Sequence, residues 1–407
     1  MKVSLFPSLV LATLALAMAP RGATAAADPA GGALTASEEA VYADRLVRNK
    51  VPGADPYDSM DAVPGAAHVR ALPVAAPPTL PADVLAKAKA YALANNSKAM
   101  LIWRNGKLEE AVYGPGVDAA TLLNAKSMGK PLGAIAVGRA IKLGYIKSLD
   151  QSAADFIAEW RGTPKAAITL RQLLSMTAGL AEQGAVTDPA SYMTRAYLSP
   201  RHDDVLIHDY PLTSPPGTRY QYGNASAELI ALIIERATKQ RYATFVSQQI
   251  LKPLGAAGGE VWIDRPGGLA HSGCCMLLPG ETWMRLGVFL MHDGVWEGRR
   301  LLPEGYVEAM KTPTAQNPRY GLAIWTQGEY IPRRGFGRPG QMLGAVLHSE
   351  PYLAKDLFLF DGNTNQVLYM IPSQNLAILR MGDAPPRSPE WDNSYLPNLV
   401  LRAIGQP

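Results

Sequence analysis

The sequence predicts an α+β protein, an α/β sandwich. An antiparallel β-sheet flanked by terminal helices is assembled from both ends of the chain around an inserted all-helical domain. Three observations predict this. Two strand-like segments, Met100–Arg104 and Leu108–Tyr113, are joined by Asn105-Gly106, a strong short hairpin signal. After Arg319 the segments Gly321–Thr326, Leu357–Phe360, Gln366–Ile371 and Leu376–Met381 again read as strands, the last three close-set. Between these groups, from Asp155 to about Leu302, apolar residues recur mostly at helical spacing. Strands at both ends and helices in the middle fit one sheet with an insertion.

In chain order, residues 1–25 read as a secretory signal: Lys2 supplies the charge, Leu5 to Met18 is apolar and too short to span a bilayer, and Ala23-Thr24-Ala25 suits cleavage. This predicts a periplasmic or secreted protein with no stable membrane insertion after cleavage. Residues 26–81, rich in Ala, Pro, Gly and Asp, read as a tether and a loosely structured arm with one helix around Glu38–Val47. The first part of the α/β domain is placed at 82–154, with a helix over Asp83–Asn95, the hairpin, and a helix after Ser127 that carries Leu132, Ile135, Ala136, Ile141 and Leu143 and stops at Gly144. Residues 155–318 form the helical domain, with helices at Leu170–Met176, Ala225–Ala237, Ala243–Leu251 and Trp283–Met291. Residues 319–407 complete the sheet, and Asp392–Ile404 closes the chain as a helix.

Composition narrows the function. The 407 residues are 48 % hydrophobic and 18 % charged, enough for a substantial core. A formal net charge of +4 without a basic run gives no nucleic-acid footprint. The six histidines are scattered and no Cys/His cluster has metal-ligand spacing, so no metal or organic cofactor is implied. Adjacent cysteines bridge only in a strained ring, so Cys274 and Cys275 are expected as two packed thiols.

The chemistry is carried by Ser127-Met128-Gly129-Lys130. A serine hydroxyl is a weak nucleophile and needs a base. Residues three apart share a helix face, so Lys130 can reach it. Lysine serves only as the free amine, and bringing its pKa from about 10.4 to about 7 costs on the order of 4–5 kcal/mol of differential solvation. Burial beside positive dipoles, such as a helix N-terminus, supplies that. A second element, Tyr222-Gly223-Asn224, follows the turn Pro215-Pro216-Gly217-Thr218. A tyrosine there can pass a proton to a leaving group, and Asn224 can hold a substrate carbonyl, orient the lysine, or cap the next helix.

These stretches resemble the serine β-lactamase and penicillin-binding-protein superfamily, in particular class C β-lactamase-like hydrolases, 6-aminohexanoate-oligomer hydrolases and family VIII carboxylesterases. The resemblance runs from about Asn95 to Ile404. It is carried by Asn124–Lys130, by Ile168–Leu180, by Pro216–Ala225, and by Val367–Pro372 leading into Leu376–Leu379. It implies a β-lactamase/transpeptidase-like fold and an acyl-enzyme on Ser127, with Lys130 as base and Tyr222 as proton relay. It also implies an oxyanion hole from the Ser127 and Asn363 amides, with Gly362 letting the backbone approach the acyl group. The family's third motif is Lys-Thr-Gly. This chain has Phe360-Asp361-Gly362 there, followed by Asn363. The cation that meets a substrate carboxylate is missing, and Asp361 stands in its place. Substrates are therefore read as small amides or esters, with a DD-peptidase, a β-lactamase or a non-catalytic penicillin-binding-like sensor as alternatives. Arg333, Arg334 and Arg338 read as a solvated loop or a substitute cation. Trp103, Trp325 and Tyr369 read as core, and His348 as structural.

Overall fold

The computed structural model describes residues 33–51, 55–181 and 188–405. The signal at 1–25 lies outside them. Among the described residues no helix is long and apolar enough to cross a membrane.

The main sheet has six antiparallel strands: β1 (Ser97–Arg104), β2 (Lys107–Tyr113), β3 (Trp325–Thr326), β4 (Phe358–Gly362), β5 (Gln366–Ile371) and β6 (Leu376–Gly382), in the order β2-β1-β6-β5-β4-β3. The first hairpin turns at Asn105 and Gly106, whose φ of 48° and 88° are the left-handed values a two-residue turn requires. β6 pairs with both β1 and β5, so the two ends of the chain meet mid-sheet.

Alternation along the strands creates two cores. Ala99, Leu101 and Trp103 of β1 and Leu368 and Met370 of β5 pack towards the helix Gly280–Met291. Met100 and Ile102, with Val367, Tyr369 and Ile371, pack instead against the helices Ala82–Ala94 and Tyr395–Ala403. The helix Gly280–Met291 lies close to the sheet through Gly287, where a Cβ would stand 2.7 Å from Leu368 Cδ2. The sheet is thus covered on both faces, as the predicted sandwich requires.

Several features depart from the sequence reading. The stretch 155–318 is mostly helical but contributes Gly259–Trp262 and Met276–Leu278 to a second, four-stranded sheet with Met60–Val63 and Leu123–Asn124. Strands of two to four residues are too short to show a period of two. Their pairing, Leu123 with Leu278 and Asn124 with Leu277, fixes the chain just ahead of Ser127.

The described part of the N-terminal arm is packed rather than loose. Thr35 and Glu38 form a capping box on the helix Ala36–Asn49. Arg45, 1 % exposed, donates to Asp58 and to the carbonyls of Leu198 and Asp264. Of Gly321–Thr326 only Trp325–Thr326 pairs as a strand.

Cys274 and Cys275 are not free thiols; they are bonded to each other. The chain reverses there in a tight turn, with Cys275 at φ 46° and the Met276 N–H donating to the Cys274 carbonyl at 2.7 Å.

Candidate active site

Ser127 lies on the 3₁₀ turn Lys126–Gly129, which runs directly into the helix Lys130–Lys142. Pro131 sits in the helix's first turn, where its missing N–H has no intrahelical partner to lose. Lys130 is 2 % exposed. Its Nζ lies 2.9 Å from Ser127 Oγ, 2.8 Å from Asn224 Oδ1 and 2.7 Å from the Gly273 carbonyl oxygen. Burial brings its pKa down to about 8, while the nearby Glu228 carboxylate pulls the other way. Desolvation, the burial expected from the sequence, is the leading cause.

The acceptor set has a chemical consequence. Asn224 Oδ1 and a carbonyl oxygen can only accept. A neutral amine has two hydrogens and one lone pair. With both hydrogens committed to these acceptors, the lone pair faces Ser127 Oγ. Asn224 is the first residue of the helix Asn224–Thr238, and no side chain caps that N-terminus, so the capping alternative falls away.

Tyr222 precedes this helix and faces the same cleft as Ser127. Burial, with Asp361 adding to it, pushes the phenol well above its ordinary pKa. Tyr222 is therefore a neutral phenol at neutral pH, and Lys130 is the more easily deprotonated partner. The ring sits among Trp325, Phe336 and Tyr320, at centroid distances of 6.1, 5.4 and 6.0 Å, and 5.1 Å from Lys130 Nζ.

Asp361 and Gly362 end β4 against the nucleophile turn. A Cβ on Gly362 would stand 2.7 Å from both the Ala125 carbonyl oxygen and the Met128 amide nitrogen. Asn363 begins the next 3₁₀ turn, Asn363–Asn365. Ser127, Tyr222, Asn224, Asp361, Gly362 and Asn363 all line one cleft of about 730 Å³. Lys130 lies buried behind that lining, in contact with Ser127 and Asn224. Burial pushes the Asp361 carboxyl up to about 6, with Arg334 opposing.

The three arginines separate. Arg333 is tied to Glu390 by two contacts of 2.9 and 2.7 Å. Arg334 and Arg338 line the cleft. Arg334 donates to the Gln327 and Thr326 carbonyls, both at 2.7 Å. Trp103 and Tyr369 are core, as read, and His348 is buried. Trp325, assigned to the core, is 8 % exposed yet also lines the cleft. The Gly273 carbonyl and Glu228 were missed. No side-chain motif marks a backbone carbonyl, and Glu228 sits in an otherwise ordinary helical pattern.

Comparison with known proteins agrees with this fold. A family model described as Beta-lactamase matches residues 92–393. Protein flp of Staphylococcus aureus (strain N315) is 34 % identical over 94 residues, covering 21 % of this chain and 17 % of that protein. The 6-aminohexanoate-dimer hydrolase of Paenarthrobacter ureafaciens is 26 % identical over 223 residues, 52 % of this chain and 56 % of that protein. The chain thus spans under a fifth and a little over half of these two relatives.

Among solved structures, a Bacillus anthracis protein assigned as a 6-aminohexanoate-dimer hydrolase superposes with TM-score 0.65 at 19 % identity, covering 86 % of this chain and 93 % of that one. A family VIII carboxylesterase superposes with TM-score 0.57 at 14 % identity, covering 80 % and 98 %. At such identities the likeness is one of fold, while the family match extends over most of the sequence: the chain belongs to the β-lactamase family of hydrolases.

Proposed function

We propose that this protein is an exported serine hydrolase that cleaves small amides or esters through an acyl-enzyme on Ser127. The observation that carries the reading is the environment of Lys130. A buried amine whose two hydrogens have fixed acceptors presents its lone pair to the Ser127 hydroxyl, and that is the arrangement a general base needs.

Lys130 takes the Ser127 proton as Oγ attacks the substrate carbonyl. The oxyanion is held by the amides of Ser127 and Asn363, where the glycine at 362 brings strand and turn together. Such donors are worth roughly 10²–10³ in rate. Tyr222, beside Ser127 in the cleft and too weak an acid to be ionised, relays a proton to the leaving group. Asn224 positions Lys130. Water then hydrolyses the acyl-enzyme.

Substrate choice follows from Asp361. Where the Lys-Thr-Gly motif offers a cation, this cleft offers a carboxyl that is largely ionised above about pH 6. A carboxylated substrate meets repulsion there, so uncharged esters and amides are favoured. Arg334 and Arg338 on the cleft wall favour the second reading, a DD-peptidase or β-lactamase, because either can supply a cation. Arg334 is already committed to two carbonyls, which weighs against it. A sensor needs only the binding half of this machinery, so the assembled Ser127–Lys130–Tyr222 set favours catalysis. A panel of p-nitrophenyl esters, 6-aminohexanoate oligomers and nitrocefin, read with intact-mass detection of the acyl adduct, tests the proposal. Turnover of esters or oligomers with an adduct on Ser127 supports it; a protein inert to all three and free of adduct overturns it.

A further inference from the structure

Behind Lys130, three residues distant in sequence meet in the core: His202, Glu228 on the helix Asn224–Thr238, and His271. They are 0 %, 3 % and 0 % exposed. The Ser127 chemistry uses none of them.

His202 Nδ1 lies 2.6 Å from the Ala196 carbonyl oxygen. A carbonyl only accepts, so that nitrogen carries the proton and Nε2 is a bare lone pair. Nε2 has no hydrogen-bond partner and stands 3.7 Å from Glu228 Oε2. His271 has no partner at either ring nitrogen, and its Nδ1 stands 3.8 Å from Glu228 Oε1. Burial holds both imidazoles below their usual pKa, His202 at about 4, so both are neutral at neutral pH. A His202 lone pair facing a buried carboxyl, beside an imidazole with neither nitrogen paired, is a costly arrangement.

The separations discriminate among occupants. A direct hydrogen bond, including one from a protonated Glu228, spans about 2.7–3.2 Å. A bridging water at ordinary angles holds its partners roughly 4.5 Å apart. Two ligands about 2.1 Å from one zinc ion stand roughly 3.4 Å apart at a tetrahedral angle and roughly 3.6 Å apart at a trigonal one. The observed 3.7 and 3.8 Å fall nearest the last case. One donor atom from each residue lies within 4.8 Å of the others.

We propose that His202 Nε2, His271 Nδ1 and the Glu228 carboxylate form a site for a single divalent transition-metal ion, zinc by the character of the ligands. The surroundings suit it. The Ala196 carbonyl fixes the His202 tautomer, and Trp262 stacks on His271 at 4.0 Å, holding its ring. Glu228 Oε2 also accepts the Gly273 N–H at 3.0 Å, and the Gly273 carbonyl accepts from Lys130. The ion would thereby brace the segment that holds the general base.

The test is growth of the full chain in zinc- or cobalt-supplemented medium and purification without reductant, so that Cys274 and Cys275 stay bonded. Elemental analysis should find about one ion per folded chain. The cobalt form should show visible d–d bands without a sulfur charge-transfer band. Glu228→Gln and His271→Gln, checked for a cooperative melt, should weaken binding about tenfold or more. Should either variant fail to fold, the wild-type Tm must still rise with metal loading and fall on chelation. Folded wild-type protein that stays metal-free overturns the proposal. So does metal content untouched by both variants, or binding that appears only on reduction with a sulfur charge-transfer band.

Discussion

Lys130 Nζ stands 2.9 Å from Ser127 Oγ, on a side chain whose two other contacts, Asn224 Oδ1 and the Gly273 carbonyl, accept and cannot donate. A lysine so held is either an ammonium saturated by three acceptors or an amine whose lone pair faces the serine. Losing one proton converts a resting site into a reactive one.

That proton sets the pH dependence. With the Lys130 pKa near 8, roughly a tenth of the amine is free at pH 7. kcat/KM for an uncharged ester should climb about tenfold per pH unit below this value and level off above it. Lys130→Arg keeps the charge but cannot deprotonate, and should lose at least about three orders of magnitude. A pH–rate profile on wild type and variant checks both. A flat profile with an active arginine variant would show that the residue acts only through its charge.

Tyr222→Phe removes the relay but leaves the base. The loss should follow leaving-group need: about 10²-fold or more for an amide, whose amine must be protonated, and clearly less for a p-nitrophenyl ester. Parallel kinetics on the two substrates measure this split. An equal loss on both would place Tyr222 in positioning rather than proton transfer.

Asp361→Lys should improve handling of carboxylated substrates. A buried charge-assisted hydrogen bond is worth about 1.5–3 kcal/mol, or one to two factors of ten in affinity. The wild type should turn over short esters far better than benzylpenicillin. Efficient penicillin hydrolysis by the unmodified protein would instead point to Arg334 or Arg338 as the cation.

Opening the Cys274–Cys275 bond with a dithiol should lower kcat several-fold with little change in KM, because the Gly273 carbonyl that anchors Lys130 lies one residue before the ring. Alkylation and intact mass verify the opening. Unchanged kcat in fully reduced protein would show that Gly273 is held by Glu228 and the sheet alone.

Much of this was legible in the sequence because it is local. Asn105-Gly106 names its turn through the φ values those residues tolerate. Ser127 and Lys130 declare their proximity through helical spacing, and the two-faced strands β1, β5 and β6 appear as short, almost wholly apolar runs. What was not legible is long-range or carried by the backbone. The second sheet arises from strands too short to show a period. The Gly273 carbonyl has no side-chain signature. Nothing in the sequence marks Arg45 for burial; Asp58 and two carbonyls from residues 198 and 264 enclose it only in the fold. Two packed thiols are what the sequence predicts at Cys274 and Cys275; the tight turn that joins them in one ring, with Cys275 at φ 46°, has no signature in the sequence.

The central claim is that Ser127 is the acylated residue, and intact-mass and peptide-level mapping after incubation with a fluorophosphonate test it most directly. The account predicts a single adduct on Ser127, none on Ser127→Ala, and a fall of at least about 10³-fold in hydrolysis for that variant. Label on another residue, or near-normal hydrolysis by Ser127→Ala, would contradict it.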